Sequence, residues 1–293
     1  EQLGYNLKNK LWTGMALIND PNIIKDIHKG YIKAGADYIS TSTYQISFGR
    51  LKNMGYQSVE IKKIFQKSVD LVKEAILESK SKREIKIVGS FGPYASFDPK
   101  ASEYVGEYIS TDDEIMNFHH NNIRIIEETD LDIILYETIP CLREFKILSE
   151  ILSNTKKEIW ISVTCNENIE FRDGSSFKEA CEIISGIEKI TTLGINCFSP
   201  LLVNKAIRKL KKLAKEFYKN YNAKVDEEML SAMLEMYYYN VPKYQHSKIF
   251  KKIENQLFGI KKLDFNYYAK NLFNRSYFSS EEKCLRLLKR SEE

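Results

Sequence analysis

Two residues near the middle of the chain have the type and setting to do chemistry. Cys197 closes the apolar run Ile190 to Cys197 in GINCFSP, where a buried strand would give way to a loop. A thiolate there is a zinc ligand type, and a catalytic zinc takes about three protein ligands. Taken alone, a Cys in that place is more often a small core residue. Glu137, in YETIP, directly follows the apolar LDIILY. A carboxylate in such a position is costly to bury without a partner, so it marks a place for a cation. His119 and His120 are adjacent, and on a helix they point about 100° apart. That spacing suits structural packing better than joint coordination. Cys141 and Cys165 also follow strand-like runs and read as core or loop thiols.

The elements that must position these groups alternate with a regular beat between residues 20 and 210. Strands are expected at Asp37–Tyr44, Ile85–Gly92, Leu131–Glu137, Glu158–Thr164 and Thr191–Cys197. Most are apolar through the middle, as strands buried on both faces should be. Amphipathic helices are expected at Val59–Glu78, Asp112–Thr129, Leu142–Leu152, Ser176–Ile187 and Leu201–Tyr218. This βαβ series implies a parallel sheet. The segments after the strands (STSTYQ, GSFGPYAS, YETIP, TCNEN, NCFSP) are polar or rich in Gly and Pro, which favours a TIM-type barrel with its site at that face. No GxGxxG and no GxxxxGK[ST] supports a nucleotide-binding open sheet. From about residue 220 the pattern is helical only, so the expected division is a barrel portion over 1–218 and an all-α segment over 219–293.

Bulk composition narrows the class. Of 293 residues 43% are hydrophobic and 29% charged, which is ordinary for a soluble globular protein. No apolar run is long enough to span a membrane, and no secretory signal is visible at the start. The five cysteines are widely spaced, without a CxxC, so a disulfide framework is not expected and a cytoplasmic setting is. Residues 1–200 carry 24 Lys+Arg against 29 Asp+Glu, whereas residues 201–293 carry 20 against 11. The basic surplus of the last third is spread over several helices. It reads as a solvated surface, and no nucleic-acid partner is expected.

Seven stretches in order and spacing, LWTGMALINDP, AGADYISTSTYQISF, GSFGPYAS, SEYVGEY, FHHNNIRIIEETDLDIILYETIPCLRE, ISVTCNE with DGSSF, and GINCFSP, resemble the homocysteine S-methyltransferase family. They look most like its members that use S-methylmethionine. The resemblance covers residues 1–210 or so and implies a TIM barrel. It also implies a zinc ion held by three Cys, with homocysteine bound to it as a thiolate that attacks a small methyl donor. By this resemblance Cys197 is the first zinc ligand. Glu137 is the catalytic-site carboxylate that binds the amino group of homocysteine, and Asn196, Thr43 and Ser90 line the substrate pocket.

The chain departs from that pattern in three places. The family's adjacent Cys-Cys pair in a GGCC motif does not follow GINC, and only Cys284 remains beyond it. The strand ending in Asp-Gly-Gly at the start and the last two strands are missing, which leaves five of eight recognisable. Residues from about 213 on more loosely resemble a helical segment of bacterial serine dipeptidyl-peptidases, without the catalytic Ser. Methyl transfer is therefore expected to be impaired. The alternative is a non-catalytic, degenerate or fused scaffold with a helical interaction module. Five strands cannot close as eight do, so the sheet edges are expected to promote self-association.

Overall fold

The computed structural model of the protein describes residues 11, 13–98 and 100–221. Five strands form one parallel sheet in chain order: β1 (Tyr38–Ser40), β2 (Lys86–Phe91), β3 (Ile133–Ile139), β4 (Glu158–Val163) and β5 (Ile190–Ile195). Chain order with parallel pairing throughout is the arrangement of a (βα) barrel wall. A doubly wound sheet would instead reverse its order at a switch point.

Each strand alternates its side chains between two environments. One face of the sheet contributes Ile87, Phe91, Ile134, Tyr136, Ile159, Ile161 and Ile195 to a single large core under the helices. The other face carries a small apolar cluster of Val88, Ile133 and Leu135 with Trp160 packed on it. The ring of Trp160 on β4 meets that of Tyr38 on β1 at 5.0 Å between centroids. Strands three places apart in a flat sheet lie about 14 Å from one another, so this contact shows the sheet curling around that face as a barrel wall does.

The helices are α1 (Thr13–Asn19), α2 (Pro21–Lys33), α3 (Phe48–Asn53), α4 (Ser58–Ser79), α5 (Asp112–Ile126), α6 (Leu142–Leu152), α7 (Phe177–Ile184) and α8 (Val203–Tyr221). From α4 to α8 each packs against the next. Their starts follow from local chemistry. The Thr111 hydroxyl accepts from the Glu114 N–H while the Glu114 carboxylate accepts from the Thr111 N–H at 2.8 Å, a reciprocal cap for α5. Pro21 opens α2 where its missing N–H costs nothing.

The five expected strands and five expected helices are all present, with ends shifted by a few residues. β1 is the largest difference: three residues rather than the expected eight, because the chain after Ser40 turns away to build the site. Helices α1, α2 and α3 lie outside the expected series. The expected boundary at residue 218 falls inside α8, and the rest of the expected helical segment lies outside the described residues.

Candidate active site

The carboxyl ends of β2, β3 and β5 bring Ser90, Glu137, Asn196 and Cys197 together. The Glu137 carboxylate accepts from the Ser90 hydroxyl at 2.5 Å and from the Asn196 amide nitrogen at 3.1 Å. Among the described residues no basic side chain pairs with it. Its burial holds the carboxyl above the usual carboxylate range, with the Ser90 bond pulling the other way.

Asn196 is buried at 2% exposure, and its amide is fully used. Its oxygen accepts from the Thr138 N–H and the Ser162 hydroxyl, both at 3.0 Å. Its nitrogen donates to Glu137 and, at 2.9 Å, to the Thr138 hydroxyl. Thr138 and Cys197 both take left-handed backbone, with φ of 66° and 50°. For a β-branched residue such as Thr138 this is strained, and two of the Asn196 bonds, to its N–H and its hydroxyl, brace the turn.

The Cys197 sulfur lies 3.6 Å from both the Thr138 hydroxyl and the Asn196 amide nitrogen. Burial pushes its thiol up, opposed by the hydrogen bonds from Thr138 and Tyr104. Arg172 supports the same turn from below. It donates to the Cys197 carbonyl at 3.3 Å and to the Thr164 hydroxyl at 3.0 Å, and its guanidinium lies 5.6 Å from the centre of the Tyr104 ring.

Thr43 sits one layer further back, at 1% exposure. Its hydroxyl donates to the Ser90 carbonyl at 2.7 Å and meets the Thr41 hydroxyl at 2.6 Å, while Thr41 accepts from the Ser90 N–H. The pair fixes the backbone from which Ser90 reaches Glu137.

Four residues at the site are absent from the sequence-based set: Tyr44, Glu103, Tyr104 and Arg172. The Tyr44 hydroxyl donates to Glu103 at 3.3 Å. Burial raises Glu103, and burial also raises Tyr44, whose neighbours include Glu103, Glu137 and Cys197. The signal for these residues is present in STSTYQ, SEYVGEY and the stretch before DGSSF, but only contact across the fold separates them from their neighbours. Gly106, at φ 80°, seats the SEYVGEY loop: a Cβ there would meet the Asp173 nitrogen at 2.9 Å and the Pro140 carbonyl at 3.0 Å.

His119 belongs to a separate buried network. Its Nε2 lies 2.7 Å from Glu144, which also accepts from the Tyr94 N–H at 2.6 Å and the Tyr108 hydroxyl at 2.5 Å. This network ties the loop after β2 to α5 and α6, while His120 is exposed. Cys141 and Cys165 are buried, and burial pushes both thiols up to about 12. Among the described residues no three His, Cys, Asp or Glu side chains are placed to hold a metal. They supply Cys197 alone toward a zinc donor set, so an ion held there would need further ligands from outside the described residues.

A parallel sheet in chain order, with its polar groups gathered at the carboxyl ends of the strands, defines part of a (βα)-barrel enzyme. The chain belongs to the homocysteine S-methyltransferase family, whose model matches residues 1–252. It is 31% identical over 220 residues to homocysteine S-methyltransferase YbgG of Bacillus subtilis, covering 72% of this chain and 70% of that protein. It is 32% identical over 227 residues to homocysteine S-methyltransferase 1 of Arabidopsis thaliana, covering 73% and 69%. Among solved structures it is similar to the metallated form of the homocysteine methyltransferase MmuM from Escherichia coli. The TM-score is 0.67 and the identity 26%, covering 72% of this chain and 75% of that one. The family match overlaps residues 213–252, the first part of the segment read above as a helical module. These similarities carry the methyltransferase reading and bring nothing to the scaffold alternative.

Proposed function

We propose that the protein transfers a methyl group from a small donor of the S-methylmethionine type to the sulfur of homocysteine, giving methionine. One observation supports this most strongly: the Glu137 carboxylate is aimed by Ser90 and Asn196, left without a basic partner among the described residues, and set beside Cys197. An aimed carboxylate without a counter-ion suits the ammonium group of an amino-acid substrate. In this reading Glu137 binds that ammonium directly. Ser90 and Asn196 position Glu137, and Thr43 positions Ser90. Asn196 and Thr43 act through their neighbours, because their polar atoms are already bonded within the protein. A cytoplasmic setting is part of this reading, supported by the free cysteines among the described residues, and no described helix is long and apolar enough to cross a membrane.

Cys197 is the residue that would ligate zinc. When bound, zinc keeps a thiol as the nucleophilic thiolate at neutral pH. The remaining two ligands would have to come from outside the described residues, where Cys284 could supply one, or from a second subunit. Metal content per chain, measured with and without homocysteine, tests this role. The expected result is about one zinc per chain, lost in Cys197→Ser. No zinc under either condition would contradict Cys197 as a ligand and leave the family's motifs here as fold rather than function.

A further inference from the structure

The site holds a second carboxylate that the homocysteine reading does not use. Glu103 is half-buried, and its one hydrogen-bond partner among the described residues is the Tyr44 hydroxyl, 3.3 Å from Oε1. No ion pair neutralises it among the described residues. It is near enough to Cys197 to act on its thiol electrostatically, and its chain neighbour Tyr104 hydrogen-bonds that thiol. Among the described residues the basic side chain at this place, Arg172, is directed to Thr164, the Cys197 carbonyl and the Tyr104 ring and makes no ion pair with Glu103. Gly106 fixes the loop carrying Glu103 against Pro140 and Asp173, so the carboxylate is presented by a seated loop rather than by a free one.

Glu103 is therefore left without a cationic partner among the described residues. Glu137 and Glu103 both act on the Cys197 thiol, and homocysteine brings one ammonium, taken by Glu137. We propose that Glu103, with its carboxylate oriented by Tyr44, is the specificity-determining residue that receives the sulfonium group of the methyl donor. This rests on the methyltransferase reading above. In the step, the sulfur of deprotonated homocysteine forms a bond to the donor methyl carbon. The bond from that carbon to the donor sulfur breaks, and its electron pair stays on that sulfur. The thiol proton has gone to solvent, the sulfonium becomes a neutral thioether, and nothing is oxidised or reduced. The donor's positive charge is thus largest in the ground state and fades toward the transition state. A carboxylate that binds it strengthens donor binding and selectivity without raising the rate of the chemical step.

The test is calorimetric binding to the 293-residue chain without homocysteine, so that the donor binds and does not react, with two probes. One is S-methylmethionine. The other is 2-amino-5-methylhexanoate, in which a CH replaces the sulfonium sulfur and the amino-acid end is unchanged. The wild-type protein is expected to prefer the sulfonium by roughly tenfold. Glu103→Gln should abolish that preference while leaving homocysteine binding and the melting temperature unchanged, and Glu103→Asp should restore part of it. In steady-state assays Glu103→Gln should raise KM for the donor and leave kcat in place. Equal binding of the two probes by the wild type, no binding of S-methylmethionine, or a Glu103→Gln variant that keeps the preference would each overturn the proposal. Loss of kcat with an unchanged donor KM would do the same. Selective sulfonium binding without turnover would uphold it and sink the methyltransferase reading instead.

Discussion

Asn196 shows how closely the residues of this site depend on one another. Its amide makes four bonds, to Glu137, to Ser162 and twice to Thr138, and thereby holds both a carboxylate and a strained turn. Asn196→Ala would leave the Thr138 N–H and the Ser162 hydroxyl buried without partners. The expected loss is about 3 kcal/mol of stability, read by urea denaturation, since each unmade buried bond costs about 1–3 kcal/mol. A loss below about 0.5 kcal/mol would mean that the turn is held by something else. At this scale the sequence is legible where a residue type is costly in its setting. Glu137 after an apolar strand and Cys197 at a strand end both stand out. Glu103, Tyr44 and Arg172 do not, because their meaning lies in contacts between segments far apart in the chain, and polar residues in loops are ordinary.

Among the elements, the strands and the long helices follow from periodicity, and the early helices show why some do not. In α2, Ile24, His28 and Ile32 form a buried stripe at a spacing of four, but a His at its centre disguises the stripe. α3 has six residues, too few to show a period. The disguise has an energetic consequence. His28 is 4% exposed in the interface of α2 with α4, and burial lowers its pKa to about 4. Between the ordinary His value near 6.5 and about 4 the unfolded chain binds a proton that the folded protein refuses. Stability from this group is therefore present above pH 6.5 and lost as pH falls toward 4, by up to about 3 kcal/mol. Lys25 and Lys29, partly exposed at the same interface, bond Glu74 and Glu78 and lower the pKa of both carboxylates. Chemical denaturation of the wild type and His28→Leu across pH 4–7 should show a steeper acid loss in the wild type. Parallel curves would contradict the neutral buried imidazole.

For the molecule as a whole, the described sheet is a curved wall with β1 and β5 as its outer strands. Unpaired strand edges are templates for further strands. We expect concentration-dependent association in sedimentation velocity, and a single monomeric species across the accessible range would contradict it. The barrel class was legible because βαβ alternation and polar strand ends repeat along the chain, whereas its degree of closure depends on pairings that no local pattern encodes.

The most direct test of the account is isotopic. Purified protein is given homocysteine carrying 13C in its carbon chain and S-methylmethionine carrying deuterium in its S-methyl groups, and methionine is analysed by mass spectrometry, where only transfer to homocysteine gives molecules with both labels. The account predicts label in the methionine formed from homocysteine, even at a low rate, with KM for homocysteine raised roughly 100-fold in Glu137→Gln. No label above the uncatalysed background, or transfer that is indifferent to both Glu137→Gln and Cys197→Ser, would contradict it.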